Sequence, residues 1–398
     1  MNQDLLDVAT FAAGHPVELY RSLRAKAPVY RNPEPNGPGF WALTRYADVY
    51  AVDHDFQNFS SEPTIMIPDA DIGTAFGDAK MMLMMDPPHH TAFRKLIRAE
   101  FTRPAAAEKD SRLHALARQI VNEVIERGEC DFVADVAGEM PSYVIAELMG
   151  LPLDDGRELY TLTEIIHSAP ESLPPNAARD AVFKMFGYAQ GVIAEKRARP
   201  ADDLASRLLH AEVEGRRLTD NEFLLFFLLL VDAGGDTTRN LLSAGLWALQ
   251  QNPDQRAWLM ADLPGRLPSA REELLRYASP VIYMRRTATR DTQVGDQPIA
   301  GGDKVVMYFG AANRDPEKFA EPDALDLART PNEHVAFGGG PHVCLGQHLA
   351  RIEIDAILVE VLTRLPDLEI PSPPEWLAST FISGPKSMPV RFTPGPRI

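Results

Sequence analysis

Apolar residues recur at three- and four-residue spacing over several long stretches of the chain, which is the period of a helix with one buried face. The spacing predicts helices over 113–127, 140–149, 181–199, 221–250 and 269–277. Period-two patterns are few. Phe40-Trp41-Ala42-Leu43, bounded by Pro38-Gly39 and Thr44, reads as a strand, and so does 304–309 after the turn at Gly301-Gly302. Prolines mark helix starts and turns, as in Asp86-Pro87-Pro88, Leu151-Pro152-Leu153 and Asn252-Pro253-Asp254. No Pro/Gly/Ser-rich linker divides the chain and no internal repeat appears. The pattern predicts a mostly α protein with a minor β portion, without the strand–helix alternation of a doubly wound sheet.

Composition narrows the class. Of 398 residues, 45% are hydrophobic, 24% charged and 8% aromatic, ordinary globular values that exclude disordered and fibrous chains. At roughly 150 residues per domain the length suggests two or three domains, with enough chain for a large core. A net charge of −16 argues against binding nucleic acid or an anionic membrane over the whole surface. The only cysteines, Cys130 and Cys344, cannot build a disulfide framework, so a cytoplasmic setting is expected. The first ten residues carry acids and no apolar run, unlike a signal peptide, and the apolar stretch at 223–231 is too short to span a bilayer. A Gly-rich nucleotide fingerprint, a Walker loop, a Gly-x-Ser-x-Gly elbow and His-Glu-x-x-His are all missing, which removes the simplest kinase, hydrolase and dehydrogenase readings.

The most informative segment is Phe337-Gly338-Gly339-Gly340-Pro341-His342-Val343-Cys344-Leu345-Gly346. A glycine cluster lets backbone approach something flat and close. A helical pattern begins immediately after Cys344, and a thiolate at a helix N-terminus is favoured by the unpaired amides and the dipole there. Such a sulfur is a good soft ligand for iron. The residues alone leave other readings open: an inert buried thiol, a plain glycine loop, or zinc held by His334, His342, Cys344 and His348, whose spacing matches no finger or ribbon.

In register, Phe337, Gly340, His342, Cys344 and Gly346 resemble the haem-ligand loop of the cytochrome P450 family, Phe-x-x-Gly-x-(His/Arg)-x-Cys-x-Gly. The resemblance implies haem b, with Cys344 as the axial iron ligand and Phe337, Gly338, Gly346 and Ala233 against the ring. Glu273-Leu274-Leu275-Arg276 alone would be a weak helix-surface pair. In the resemblance it is a buried structural triad closed by Arg329. Ala233-Gly234-Gly235-Asp236-Thr237-Thr238 places helix-unfavourable residues mid-helix, which reads either as a helix end at Gly234 or as a special site within one helix. Apolar spacing resumes over 241–249, against a helix end. The resemblance is to the family's oxygen-activating helix, with Asp236 and Thr237 as an acid–alcohol pair at a local widening. His90 and Arg94, then Arg286 with a one-residue ambiguity against Arg285, and finally His342 match positions that pair with haem propionates. Singly, each reads as a surface charge. Further matches at 312–316 and 319–323 extend the resemblance over essentially the whole chain, which implies one P450 domain over 1–398. Its expected architecture is the all-α orthogonal, triangular-prism fold with a minor β portion. Cys130 has no role in it beyond that of a structural thiol.

The implied activity is that of a soluble bacterial monooxygenase, inserting one atom of dioxygen into an apolar terpenoid, steroid or lipid-like molecule. The Cys344 thiolate would push electron density to the iron, and Asp236 and Thr237 would relay protons. Electrons would come from NAD(P)H through a ferredoxin reductase and a ferredoxin docked on Lys95, Arg98, Arg103, Arg112 and Arg351. Pocket positions map to 63–85, with Met81, Met82, Met84 and Met85, to 159–186, to Leu229, Asp232 and Ala233, to 281–284, with Val281 and Ile282, and to Phe381 and Ile382. The methionines equally suit plain core filling. The alternative is a haem-binding sensor or carrier without oxygenase activity. A peroxide-driven or isomerising relative is a further possibility. Asp236 and Thr237 weigh against both, because binding alone needs no proton relay.

Overall fold

A computed structural model describes residues 4–35, 37–69, 76–168 and 173–398. The helices that frame the site are α1 (Tyr46–His54), α2 (His89–Ile97), α3 (Asp110–Val124), α4 (Glu139–Met149), α5 (Leu153–His167), α6 (Ala177–Ala198), α7 (Asp220–Gln251), α8 (Leu263–Ala278) and α9 (Gln347–Arg364).

The 32-residue α7 runs roughly 48 Å at 1.5 Å per residue. Thr219 and Glu222 close a reciprocal capping box at its start. It is apolar on every side because it is packed on every side: α4, α5, α8 and α9 all lie against it. The helix does not end at Gly234, and it is α-helical throughout, so the expected local widening is not present. The packing explains Gly234. A Cβ there would stand 2.7 Å from Ile145 Cδ1, so α4 packs close and the Ile145 side chain would have to move to admit one.

Beside the helices lies a five-stranded sheet of β1 (Val29–Asn32), β2 (Phe40–Leu43), β3 (Phe59–Ser60), β4 (Tyr283–Ala288) and β5 (Lys304–Tyr308). Its order is β1-β2-β5-β4-β3. β2 and β5 are parallel, with Phe40 opposite Lys304, and the other pairs are antiparallel. Alternation sends Phe40, Ala42, Val306 and Tyr308 into one cluster and Leu43, Val305 and Met307 into another. The two strands expected from the sequence are thus present.

One buried network ties α8 to the segment leading into the cysteine loop. Glu273 and Arg276 are both fully enclosed, bonded Oε1–Nη2 at 2.7 Å and Oε2–Nε at 2.8 Å. Arg329 Nε and Asn332 Nδ2 each donate to Oε2 at 3.0 Å, and the Asp326 amide donates to Oε1. Arg276 Nη1 reaches the carbonyls of Asn313 and Pro322, both at 2.7 Å. Removing one member of such a cluster leaves buried charge uncompensated. Glu273→Ala is therefore expected to lower stability by about 3–5 kcal/mol, read from the urea midpoint. A loss below about 1 kcal/mol, the scale of an exposed ion pair, would contradict this.

Candidate active site

The cysteine loop is held from outside. The Cys344 amide donates to the Phe337 carbonyl at 2.8 Å, and α9 begins three residues later. Burial pushes the Cys344 thiol up, while amides of Gly346 and Gln347 and the charges of Arg94 and Arg351 pull it down. Arg351 donates to Glu272 from Nε and Nη2, both at 2.8 Å, and lies 4.6 Å from the Phe337 ring centre.

Two glycines of the run also have a reason within the protein itself. Gly340 has φ +55°, and a Cβ there would overlap the Asp53 carbonyl. A Cβ at Gly339 would overlap the His54 ring. At these two positions the end of α1 leaves little room for a side chain. Gly346 instead faces open space.

Between α7 and this loop lies a cavity of about 240 Å³, counted as space open to the centre of a water molecule. Of the sequence-derived residues it brings together Met82, Leu229, Ala233, Thr237, Val281, Arg94, Arg286, Phe337, Gly338, His342, Cys344 and Gly346. Several expected pocket residues are not on its wall, Met81, Met84 and Met85 among them. Ile282 is fully buried in the sheet-side cluster beside Tyr283, one step out of phase with Val281. Phe381 packs edge-on against Tyr283 with ring centres 5.2 Å apart. Ile382 is 3% exposed and bridges to Val281 through backbone alone. Asp232 is half-buried on α7, off the lining. Parts of two expected pocket segments, 70–75 and 169–172, lie outside the described residues. Ile65, within the expected segment 63–85, lines the cavity, whereas pattern reading missed Ile145 and Glu353, which also line it.

At one end, nitrogen donors converge. Arg94 Nη2 donates to the Val343 carbonyl at 2.6 Å. The His90 and His342 rings lie 4.1 Å apart, and His342 Nε2 meets Ser61 Oγ at 3.0 Å. Arg286 Nη2 donates to Asp53 Oδ1 at 2.8 Å. Arg285 turns the other way and bonds Asp69 Oδ1 at 2.5 Å with the carbonyls of Met66 and Ile67, so Arg286 is the one on the cavity. Burial, helped by the arginines, pushes His90 down to about 4 and His342 to about 2. Of the four expected cations, burial disfavours the charged form of the two imidazoles.

Thr237 Oγ1 donates to the Ala233 carbonyl at 3.1 Å and borders the cavity. Asp236, the next residue, is turned roughly 100° away by the helix and is off the wall, 1% exposed. Its Oδ1 is 3.5 Å from Thr163 Oγ1 of α5 and from Arg239 Nη2. Arg239 is itself fully buried, paired with Glu164 and 5.0 Å from the Tyr160 ring centre.

The residues fit haem b. Both His90 ring nitrogens are buried with no hydrogen-bond partner among the described residues. Two guanidiniums sit beside them, Cys344 lines the same chamber, and most of the remaining lining is apolar, with Asp53, Thr237, Thr238 and Glu353 among the exceptions. That set suits a flat apolar ring carrying two carboxylates and an iron with affinity for sulfur. Among the described residues no three His, Cys, Asp or Glu side chains are grouped to hold a metal ion, as zinc would need.

Fold and site together define a haem-thiolate protein. The family described as cytochrome P450 matches residues 170–372. The methyl-branched lipid omega-hydroxylase of Mycobacterium bovis is 37% identical, over 94% of this chain and 90% of that protein. The steroid C26-monooxygenase of Mycolicibacterium smegmatis is 38% identical, over 98% and 96%. A Mycobacterium marinum cytochrome P450 in complex with pseudoionone superposes with a TM-score of 0.93 at 38% identity, covering 98% of this chain and 99% of that one. The chain belongs to the cytochrome P450 family. It is a monooxygenase of apolar substrates that carries haem b and draws on NAD(P)H through redox partners. Among the described residues no helix is long and apolar enough to cross a membrane.

Two predictions concern the walls. Burial pushes Glu353 up to about 8, against about 4.3 in an unfolded chain. Its contribution to stability therefore falls as pH rises between those values, by about 1.4 kcal/mol per unit. Glu353→Gln should remove the fall, so its advantage over the native protein grows from pH 5 to pH 8 in urea titrations. An advantage that stayed constant with pH would contradict the assignment. Gly340→Ala adds a Cβ against backbone at a left-handed φ and should cost about 1–3 kcal/mol, seen as a lower melting temperature. An unchanged melting temperature would show that α1 yields there.

Proposed function

We propose that this enzyme hydroxylates extended, largely apolar molecules of the terpenoid, steroid or lipid type, with electrons from a ferredoxin served by a ferredoxin reductase. The observation that carries the substrate class is the distribution of polarity in the cavity. Ile65, Met82, Leu83, Ile145, Leu229, Val281 and Met284 make an apolar wall, which offers no polar group to reward a polar substrate. The lipid and steroid oxidations named for the relatives support this class, as does the pseudoionone bound by the M. marinum structure.

In this reading Cys344 ligates the iron, and Arg94, Arg286, His90 and His342 hold the propionates. Phe337, Gly338, Gly346 and Ala233 lie against the ring, whose chemistry when bound is oxygen activation. The Thr237 hydroxyl holds a proton beside the chamber and must leave the Ala233 carbonyl to pass it on. Asp236 then resupplies it from the α5 side. Glu273, Arg276 and Arg329 act structurally, and the chain works as a single cytoplasmic domain. The docking reading narrows on geometry. Arg112 is bonded to Glu147 and Arg351 to Glu272. Lys95, Arg98 and Arg103 are exposed and form no ion pair among the described residues, which leaves their charge for an acidic partner.

The reduced protein with carbon monoxide should show the strongly red-shifted Soret band of thiolate ligation, and Cys344→Ser should lose it. Branched fatty acids, sterols and linear terpenoid ketones should shift the ferric spin state on titration; silence from all three classes would refute the substrate reading. Thr237→Ala should keep ligand binding and oxygen uptake but divert electrons to hydrogen peroxide, and undiminished product per NAD(P)H would remove Thr237 from the relay. Arg98→Glu should slow ferredoxin-dependent turnover and flatten its salt dependence. An unchanged rate and salt slope would remove this face from docking.

A further inference from the structure

We propose that Asp53 is a positioning residue for the cofactor: one carboxylate that couples the anchoring Arg286 to the glycine run preceding Cys344. The inference rests on the reading of Arg286 as a propionate anchor.

Asp53 lies in the last turn of α1, where the helix dipole disfavours a negative charge, and its side chain is 4% exposed. Neither helix formation nor solvation accounts for a carboxylate there. Its two oxygens have separate partners. Oδ1 accepts from Arg286 Nη2 at 2.8 Å, and Oδ2 accepts the Gly339 amide at 2.6 Å. The adjoining His54 Nε2 accepts the Gly340 amide at 3.0 Å, so the helix end grips two successive amides of the loop. The partners lie 53 residues apart in sequence, on β4 and on the cysteine loop, and both line the cavity through Arg286 and Gly338.

Two effects follow. The Asp53 charge offsets one of the two guanidinium charges at the anchor end, which disfavours adding an electron nearby. The Gly339 bond fixes the loop that carries the sulfur. The two effects are separable because an asparagine can still accept the Gly339 amide but carries no charge.

The test uses the haem-loaded protein. Asp53→Asn should raise the Fe(III)/Fe(II) midpoint potential with the thiolate carbon monoxide band intact. Asp53→Ala should in addition speed haem transfer to excess apomyoglobin by roughly 10-fold, the low end of what loss of an outer-shell partner costs. Arg286→Gln is the reference and should also speed haem transfer. If Arg286→Gln leaves haem retention unchanged, the anchor reading fails. If it weakens retention while both Asp53 variants match the native protein in potential and transfer rate, the Asp53 assignment is overturned. Should Asp53→Ala not fold, the potential of Asp53→Asn decides alone. A merely structural role would lower the melting temperature without moving that potential.

Discussion

A sulfur that must sit at a fixed place in an apolar chamber needs a rigid support, and the loop carrying Cys344 supplies little of it by itself. Its support is borrowed from three directions. The end of α1 holds the Gly339 and Gly340 amides. Arg351 joins the Phe337 ring to Glu272 on α8. The Glu273 cluster fixes the chain that enters the loop. Two of these supports rest on the buried carboxylates Asp53 and Glu273, and such groups hold geometry well only when every member is partnered. The acidic protein therefore keeps several arginines inside, where they organise the site, as Arg239, Arg276 and Arg286 do.

Long apolar helices were legible because period and burial coincide. The stretch expected at 221–250 became Asp220–Gln251, and that at 140–149 became Glu139–Met149. Short helices such as α1 were not legible from periodicity, since nine residues give too few repeats to separate a face from chance. The strand Tyr283–Ala288 was hidden for a different reason. It buries Arg285 and Arg286, so its hydrophobic alternation is broken by charges that find partners only in three dimensions.

The site divides in the same way. The cysteine motif, the Glu273–Arg276 spacing and the Asp236-Thr237 step were readable because each is local in sequence. What each side chain faces was not. Two neighbouring helix positions diverge by about 100°, which sends Thr237 to the chamber and Asp236 towards α5. A half-period error in a strand likewise puts Ile282 behind the wall while Val281 stands on it. Asp53 carries no motif at all, and only the folded chain shows that it meets Arg286.

The near-contact of Gly234 with Ile145 bears on redesign. The space beside Gly234 is filled there by the Ile145 side chain reaching across from α4. An added Cβ would press on the end of the Ile145 side chain and force it to turn aside, reshaping the chamber at that point. Met82 and Leu229, by contrast, border the same space with side chains alone. Efforts to admit bulkier or differently shaped molecules would do better to trim those two flexible edges and leave the crossing point untouched.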